Sequence, residues 1–399
     1  MFPVGTGRRR VTPRVSRPVG ARALRLPVGR RRCYIPPVGF LWEGDGVRTI
    51  DWADGRIRII DQTRLPAEEA IISLESVEEV AEAISSLRVR GAPALGVAGA
   101  LGVALAARLA QESGEDVDEA ISRAASLLAS TRPTAVNLKW GIDRIKGSYE
   151  PTRPGAVDEL VERARAMVAE DEKINRLIGE VGADLLSEGS RVLTHCNAGA
   201  LACVAHGTAL SIVEVGHERG LISGVTATET RPLLQGSRLT AWELGRMGIE
   251  HRVTIDSGAA GLIASGEIDV VITGADRVAA NGDVANKVGT YALALAAHAN
   301  GVPFVVAAPL STIDLDTPDG NSIPIEQRSA SEVLEVNGTR VAPEGTQAYN
   351  PAFDVTPASL VTAIVTEVGT IRPGEDDLRD LVESARETPG GGPSVGVRP

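Results

Sequence analysis

The chain has 399 residues, enough for two domains or one large one. At 43% hydrophobic and 23% charged it has the composition of a packed globular protein, which excludes a disordered chain. Aromatic residues at 3% argue against a nucleic-acid stacking platform. Three cysteines (Cys33, Cys196, Cys203) make no disulfide framework and lack zinc-site spacing, so a reducing compartment, the cytoplasm, is expected. The net charge is −11, yet residues 1–42 carry ten arginines and no acid, leaving 31 basic residues against 52 acids in the rest. So acidic a body is a poor partner for a nucleic-acid backbone.

Residues 1–42 repeat the tripeptide PVG at Pro3, Pro18, Pro27 and Pro37 in an arginine-rich context. No apolar run follows Arg8–Arg10, which speaks against a signal peptide. Proline and glycine at this density break helices and ladders, so the arm is read as disordered and solvated. Residues 43–174 read as a small, mainly helical domain with a short hairpin. Val47–Trp52 and Arg56–Asp61 flank an Asp54-Gly55 turn. Helical periodicity then covers Val77–Val89, Gly91–Leu109, Asp116–Ser130 and Ala156–Ile174. Gly91–Ala107 lacks charge, but it is short for a membrane span and rich in alanine and glycine. It is expected to be a buried helix.

Residues 175–385 change rhythm. Short apolar runs at Arg191–Thr194, Gly224–Thr228, His251–Ile255, Val270–Thr273 and Pro303–Ala307 alternate with alanine-rich helical stretches. That alternation predicts an α/β fold, a Rossmann-like doubly wound parallel-sheet domain following the helical one. Residues 386–399 are low-complexity and read as a disordered tail.

In such sheets ligands bind beyond the carboxyl ends of the strands. Polar residues gather there: His195, Cys196 and Asn197 after the first run, Glu229 to Arg238 after the second, Asp276 and Arg277 after Val270–Thr273, with Asn286 and Lys287 next. Cys196 is either a small buried cysteine or a thiol activated by a helix start expected from Ala198 onward, and the sequence leaves both open. Cys203 is assigned to the core and His195 to a hydrogen-bonded structural role. Asp276 is either a desolvated acid or an ordinary cap or loop carboxylate. Arg90 and Arg132 are candidate phosphate partners, with surface ion pairs as the alternative. GxGxxG after a strand, GxxxxGK[ST] and GxSxG are all absent, so nothing points to a dinucleotide, a P-loop or a serine nucleophile elbow.

Several stretches together resemble the methylthioribose-1-phosphate isomerase family, in the superfamily that includes the regulatory subunits of initiation factor 2B. They are IDQTRLP (Ile60–Pro66), VRGAPALGVAGA (Val89–Ala100), TRPTAVNL (Thr131–Leu138), LTHCNAGALA (Leu193–Ala202), ETRPLLQGSRLTAWEL (Glu229–Leu244), TGADRVAANGDVANKVGTYALA (Thr273–Ala294), IPIEQR (Ile323–Arg328) and Asn350–Pro373. The resemblance covers residues 46–375. It implies an aldose–ketose isomerase converting 5-methylthioribose 1-phosphate to 5-methylthioribulose 1-phosphate in methionine salvage, with no metal and no nucleotide cofactor. It also implies Cys196 and Asp276 as the catalytic pair, with Arg90, Gly91, Ala92, Arg132, Gln235, Asn286 and Lys287 binding substrate. The implied partner is a small sugar phosphate, with no nucleic acid and no membrane, and the implied assembly is a homodimer. Rival readings are a 5-deoxyribose 1-phosphate isomerase, a ribose 1,5-bisphosphate isomerase and a non-catalytic regulatory subunit.

Overall fold

The computed structural model describes residues 48–336, 338–374 and 377–387. The arginine-rich arm, Cys33 and most of the low-complexity tail lie outside these residues.

Strands β1 (Ile50–Ala53) and β2 (Arg56–Ile60) pair antiparallel around Asp54-Gly55. Both turn residues have positive φ (54° and 77°), the condition for a two-residue hairpin turn with the strands' own twist. A further strand, β3 (Ile71–Leu74), pairs with β2; four residues with a serine among them give no periodic signal.

Helix α1 (Val77–Ser85) starts on a capping box, Ser76 with Glu79, and ends four residues before the expected Val89. Helices α2 (Ala92–Ser113) and α3 (Val117–Thr131, capped by Asp116) follow the predicted pattern. Helix α4 (Val136–Lys146) is not among the predicted elements: it is short, has no side-chain cap and contains Gly141. That glycine packs where a Cβ would lie 2.0 Å from the Gly96 carbonyl oxygen, so α2 and α4 touch backbone to backbone. Helix α5 (Ala156–Ala183) runs nine residues beyond Ile174 and packs on both α2 and the next helix, α6 (Ala209–Glu218). By length and composition α2 could cross a membrane, but 78% of its most apolar window is buried, as in a core helix.

The main sheet holds the five predicted strands in register: β4 (Ser190–Thr194), β5 (Ile222–Thr228), β6 (His251–Thr254), β7 (Val270–Thr273) and β10 (Phe304–Ala307). Beside β10 lies β15 (Ala363–Thr366), parallel, and then β16 (Gly369–Ile371), antiparallel at the edge. The spatial order is β16-β15-β10-β7-β4-β5-β6. Its six parallel strands follow the doubly wound order, with the chain's direction of travel reversing between β4 and β7. Alternate residues of β4, β7, β10 and β15 enter different cores. Leu193, Val271, Val306 and Ile364 face α8 (Ala259–Ala264) and α9 (Thr290–Ala299). Val192, Ile272, Val305 and Val365 face α5, α6 and α7 (Ala241–Arg246). Burial on both faces is why these strands read as unbroken apolar runs.

Between β7 and α9 the chain makes an unpredicted hairpin, β8 (Arg277–Ala279) and β9 (Val284–Lys287). It is completed into a small sheet by β11 (Ile313–Asp314) and β14 (Phe353–Thr356). Short helix α10 (Ser331–Leu334) and the pair β12 (Glu335–Val336) and β13 (Thr339–Arg340) lie between these last two strands. Helix α11 (Leu378–Glu387) extends two residues into the segment read as tail.

Candidate active site

Strands β4 and β7 flank the point where strand order reverses, and Cys196 and Asp276 each follow one of them. Both line one cavity, together with Arg90, Gly91, Ala92, Arg132, Gln235, Asn286 and Lys287. Residues separated by almost 200 positions in the chain are thus brought to one place.

The expected helix start at Ala198 is not there. After β4 the chain forms a loop with one tight turn at Ala200–Ala202, and α6 begins only at Ala209. The helix start that the activated-thiol reading of Cys196 relied on is therefore absent. Instead the backbone at Cys196 is forced to φ 60°, uncommon for a non-glycine residue. It is held there from two sides. The Cys196 N–H donates to Thr230 Oγ1 (2.9 Å), and its carbonyl accepts from Thr240 Oγ1 (2.6 Å). Thr230 is itself at φ 63°, a genuine outlier for a β-branched residue, and Asp256 fixes it by accepting from the Thr230 and Arg231 N–H groups at 2.7 Å each. The Cys196 side chain is 8% exposed, at the cavity wall.

The rest of the loop is pinned by residues flanking the β1–β2 hairpin and by α5. Gln62 Nε2 donates to the Leu201 carbonyl (2.7 Å), Thr49 Oγ1 to the carbonyls of Ala200 and Cys203, and Asp171 accepts from the Val204 N–H (2.9 Å). Cys203 is buried, as expected of a core cysteine, though outside any helix; burial pushes its thiol far up, and Asp171 and Glu243 add to this. His195 takes the structural role expected of it. Its Nε2–H donates to the Val288 carbonyl (2.9 Å), so Nδ1 accepts from Thr228 Oγ1 (2.6 Å), and burial lowers its pKa.

Asp276 precedes β8 and caps no helix. Burial raises its pKa, opposed by Lys287, Arg132 and Arg90. Among the described residues no hydrogen bond engages its carboxylate, which is left to the cavity. Lys287 donates to the Ala352 carbonyl (2.8 Å) and lies over the Phe353 ring at 4.8 Å. Asn286 Nδ2 donates to Thr290 Oγ1 (3.0 Å).

Across the cavity stands the N-terminus of the 22-residue helix α2, with Gly91 at φ 96° pressed against the Ala202 backbone. Helix N-termini favour anions. Arg90 donates to Asn197 and Arg132 to Glu326; the Nε of each arginine is buried and unpartnered, as is Gln235 Oε1. Sequence reasoning misses Asn137, Glu326 and Glu243. Asn137 lines the cavity while 2% exposed, Glu326 grips Arg132, and Glu243 is buried beneath the Cys196 loop. Among the described residues no group of three or more His, Cys, Asp or Glu side chains could hold a metal ion.

The arrangement offers two arginines beside a helix N-terminus, a desolvated carboxyl group and a thiol within one cleft. The model of the initiation factor 2 subunit family matches residues 88–373. A methylthioribose-1-phosphate isomerase of Syntrophotalea carbinolica is 51% identical over 331 residues, covering 82% of this chain and 96% of that protein. The crystal structure of 5-methylthioribose 1-phosphate isomerase from Pyrococcus horikoshii superposes with a TM-score of 0.79 at 43% identity, covering 84% of this chain and 96% of its own. A structure described as translation initiation factor eIF-2B, subunit delta, from A. fulgidus gives 0.75 at 44%, covering 84% and 99%. This chain belongs to the initiation factor 2 subunit family and, within it, to the methylthioribose-1-phosphate isomerases.

Proposed function

We propose that the chain converts 5-methylthioribose 1-phosphate to 5-methylthioribulose 1-phosphate in this cavity, with Cys196 and Asp276 as the catalytic pair. The observation that carries the assignment is their convergence, at the switch point of the sheet, with Arg90, Arg132 and the α2 N-terminus. The phosphate binds to the two arginines and to the free backbone N–H groups at Gly91 and Ala92. Gln235, Asn286 and Lys287 take the sugar hydroxyls.

An anomeric phosphate locks the ring, so the ring must open before hydrogen moves from C2 to C1. Asp276, whose pKa burial raises, gives its proton to the ring oxygen as the bond from C1 to that oxygen breaks. The hydrogen then moves in one of two ways. In the enediol route the Cys196 thiolate removes it from C2 as a proton and returns it to C1, while Asp276 takes up the proton of the 2-hydroxyl as C2 becomes the carbonyl. In the hydride route it passes directly with its electron pair in a water-poor pocket, and Asp276 recovers the proton of the 2-hydroxyl. Turnover in deuterium oxide separates them, since only the enediol route exchanges the migrating hydrogen with solvent.

A panel of methylthioribose 1-phosphate, 5-deoxyribose 1-phosphate and ribose 1,5-bisphosphate tests the substrate. The proposal requires the first to be turned over with the highest kcat/KM. The likeness to the A. fulgidus protein favours a second reading, a regulatory subunit without activity; no turnover of any of the three sugars would support it.

The assembly that suits this reading is a homodimer. Edge strand β6 leaves Val253 43% exposed, and Ile255 just after it 59%, beside a ladder that is open among the described residues, a surface proteins usually cover. Sedimentation as a monomer at micromolar concentration would remove this claim. The cytoplasm suits a sugar-phosphate enzyme whose buried Cys196 and Cys203 are both free.

A further inference from the structure

Glu243 is 1% exposed, and its carboxylate accepts three hydrogen bonds: from the N–H of Ala200 (2.7 Å), the N–H of Leu201 (3.3 Å) and the side-chain amide of Asn197 (2.7 Å). Gly199 must be glycine for this, since a Cβ would lie 2.2 Å from Glu243 Oε2. The two backbone bonds alone would anchor the loop. The third reaches a side chain whose other end holds Arg90.

The direction of donors along this path is fixed. Thr240 sits three residues before Glu243, on the same helical face, and spends its hydroxyl proton on the Cys196 carbonyl (2.6 Å). Its oxygen can therefore only accept from Asn197 Nδ2 (3.2 Å). The Glu243 carboxylate, whose two oxygens already face the N–H groups of Ala200 and Leu201, likewise accepts. Asn197 thus meets two acceptors on one side and must turn its NH2 group to them. That leaves Oδ1 facing Arg90 Nη2, which donates to it. The opposite rotamer of the amide would set NH2 against guanidinium.

We propose that Glu243 is a positioning residue for substrate binding: it orients the Asn197 amide, and Asn197 in turn holds Arg90 in place to meet the phosphate. The inference rests on the reading of Arg90 as a phosphate ligand. Burial pushes the Glu243 carboxyl up to about 7, with the hydrogen bonds from Asn197, Leu201 and Ala200 and the charge of Arg90 opposing. A carboxylate kept so far from water is expensive to retain for loop anchoring alone.

The test is a double-mutant cycle between Glu243→Gln and Arg90→Ala, read as KM, kcat and direct binding of inorganic phosphate. Glutamine cannot accept all three bonds, so its NH2 group turns the Asn197 amide or breaks a backbone bond. Glu243→Gln is expected to raise KM and the Kd for phosphate by ~10-fold or more, with kcat changed much less. In the Arg90→Ala background it should add almost nothing, because the path has already lost its end. Equal penalties in both backgrounds, or a loss of kcat with KM intact, would make Glu243 a loop anchor only and overturn the proposal. If Arg90→Ala alone leaves KM and phosphate binding unchanged, the phosphate assignment itself fails and the inference with it. Should Glu243→Gln not fold, Asn197→Ala cuts the same path while sparing both backbone bonds, and the same non-additivity with Arg90→Ala is required.

Discussion

Arg132 Nη2 donates to Glu326 Oε2 at 2.9 Å, tying a residue of the cavity wall to one 194 positions away in the chain. Burial pushes the Glu326 carboxyl up, but Arg132 and Arg328 outweigh it and hold it below the usual range. The Arg132 side chain is 15% exposed, with its Nε unpartnered. Truncating it should remove a phosphate contact while Glu326 keeps Arg328 at 3.0 Å. Arg132→Ala is expected to raise KM by roughly 10- to 100-fold, with a smaller fall in kcat, since remote binding energy also serves the transition state. Steady-state kinetics and direct binding check it; unchanged affinity would clear Arg132 of the role.

Removing the proton from Asp276 tests the chemistry rather than the binding. Asp276→Asn and Cys196→Ser should each lower kcat by about 10²–10⁴-fold, the usual worth of a general acid–base step, and leave affinity nearly intact. The wild-type profile carries a sign as well. Burial raises the Asp276 pKa, so the acid form survives above the ordinary range and kcat should fall as pH rises through the raised value. Lys287 opposes that rise, so Lys287→Ala should move the alkaline limb to higher pH at saturating substrate. A limb that stays put, or near wild-type turnover in both pair variants, contradicts the assignment.

Gly91 offers a structural test of the anion site. At φ 96°, with a Cβ position 2.5 Å from the Ala202 backbone, it has no room for a side chain. Gly91→Ala must shift either the α2 N-terminus or the loop that carries Cys196. It is expected to lose about 1–3 kcal/mol of stability and most activity together. A stable and fully active variant would mean that the helix end and the loop move independently.

How much of this is legible in the sequence depends on burial. Strands β4, β7 and β10 are covered on both faces, so VLT, VVIT and FVVA stand out as runs without charged residues. The rule that ligands sit beyond strand ends then leads to a set of polar residues that includes Cys196 and Asp276, and only the family resemblance singles out these two. The β8–β9 hairpin escapes because its strands are three and four residues long and one of them, VANK, ends in cavity-lining polar groups. The loop after Cys196 is hidden for a related reason. A run of Ala and Gly reads as helix, while the turn observed is dictated by contacts with Thr49, Gln62 and Glu243, far away in the chain. Glu243 looks like any helical surface acid. Only its spacing from Thr240 hints that both could serve one face.

Asp171 allows the linkage between burial and stability to be measured away from the reacting groups. Burial pushes its carboxyl from the ordinary 3.8 to about 7, against the hydrogen bonds from Val204 and Asn175. Both of those bonds end on the same oxygen, Oδ2, at 2.9 Å, so an asparagine can accept them with its one carbonyl oxygen. Because the folded pKa is raised, the native state holds this proton more tightly than the unfolded chain does. The stabilisation is complete below about pH 4 and is lost as pH rises toward 7, at about 1.4 kcal/mol for each pH unit. The amide of the Asp171→Asn variant cannot titrate. Its stability relative to wild type should therefore improve steadily between pH 4 and 7, by at most ~4 kcal/mol, and level off above. Urea denaturation of both proteins across that range measures it. A difference independent of pH would show that Asp171 titrates at its ordinary value and that the anchor beneath the Cys196 loop is ionised throughout.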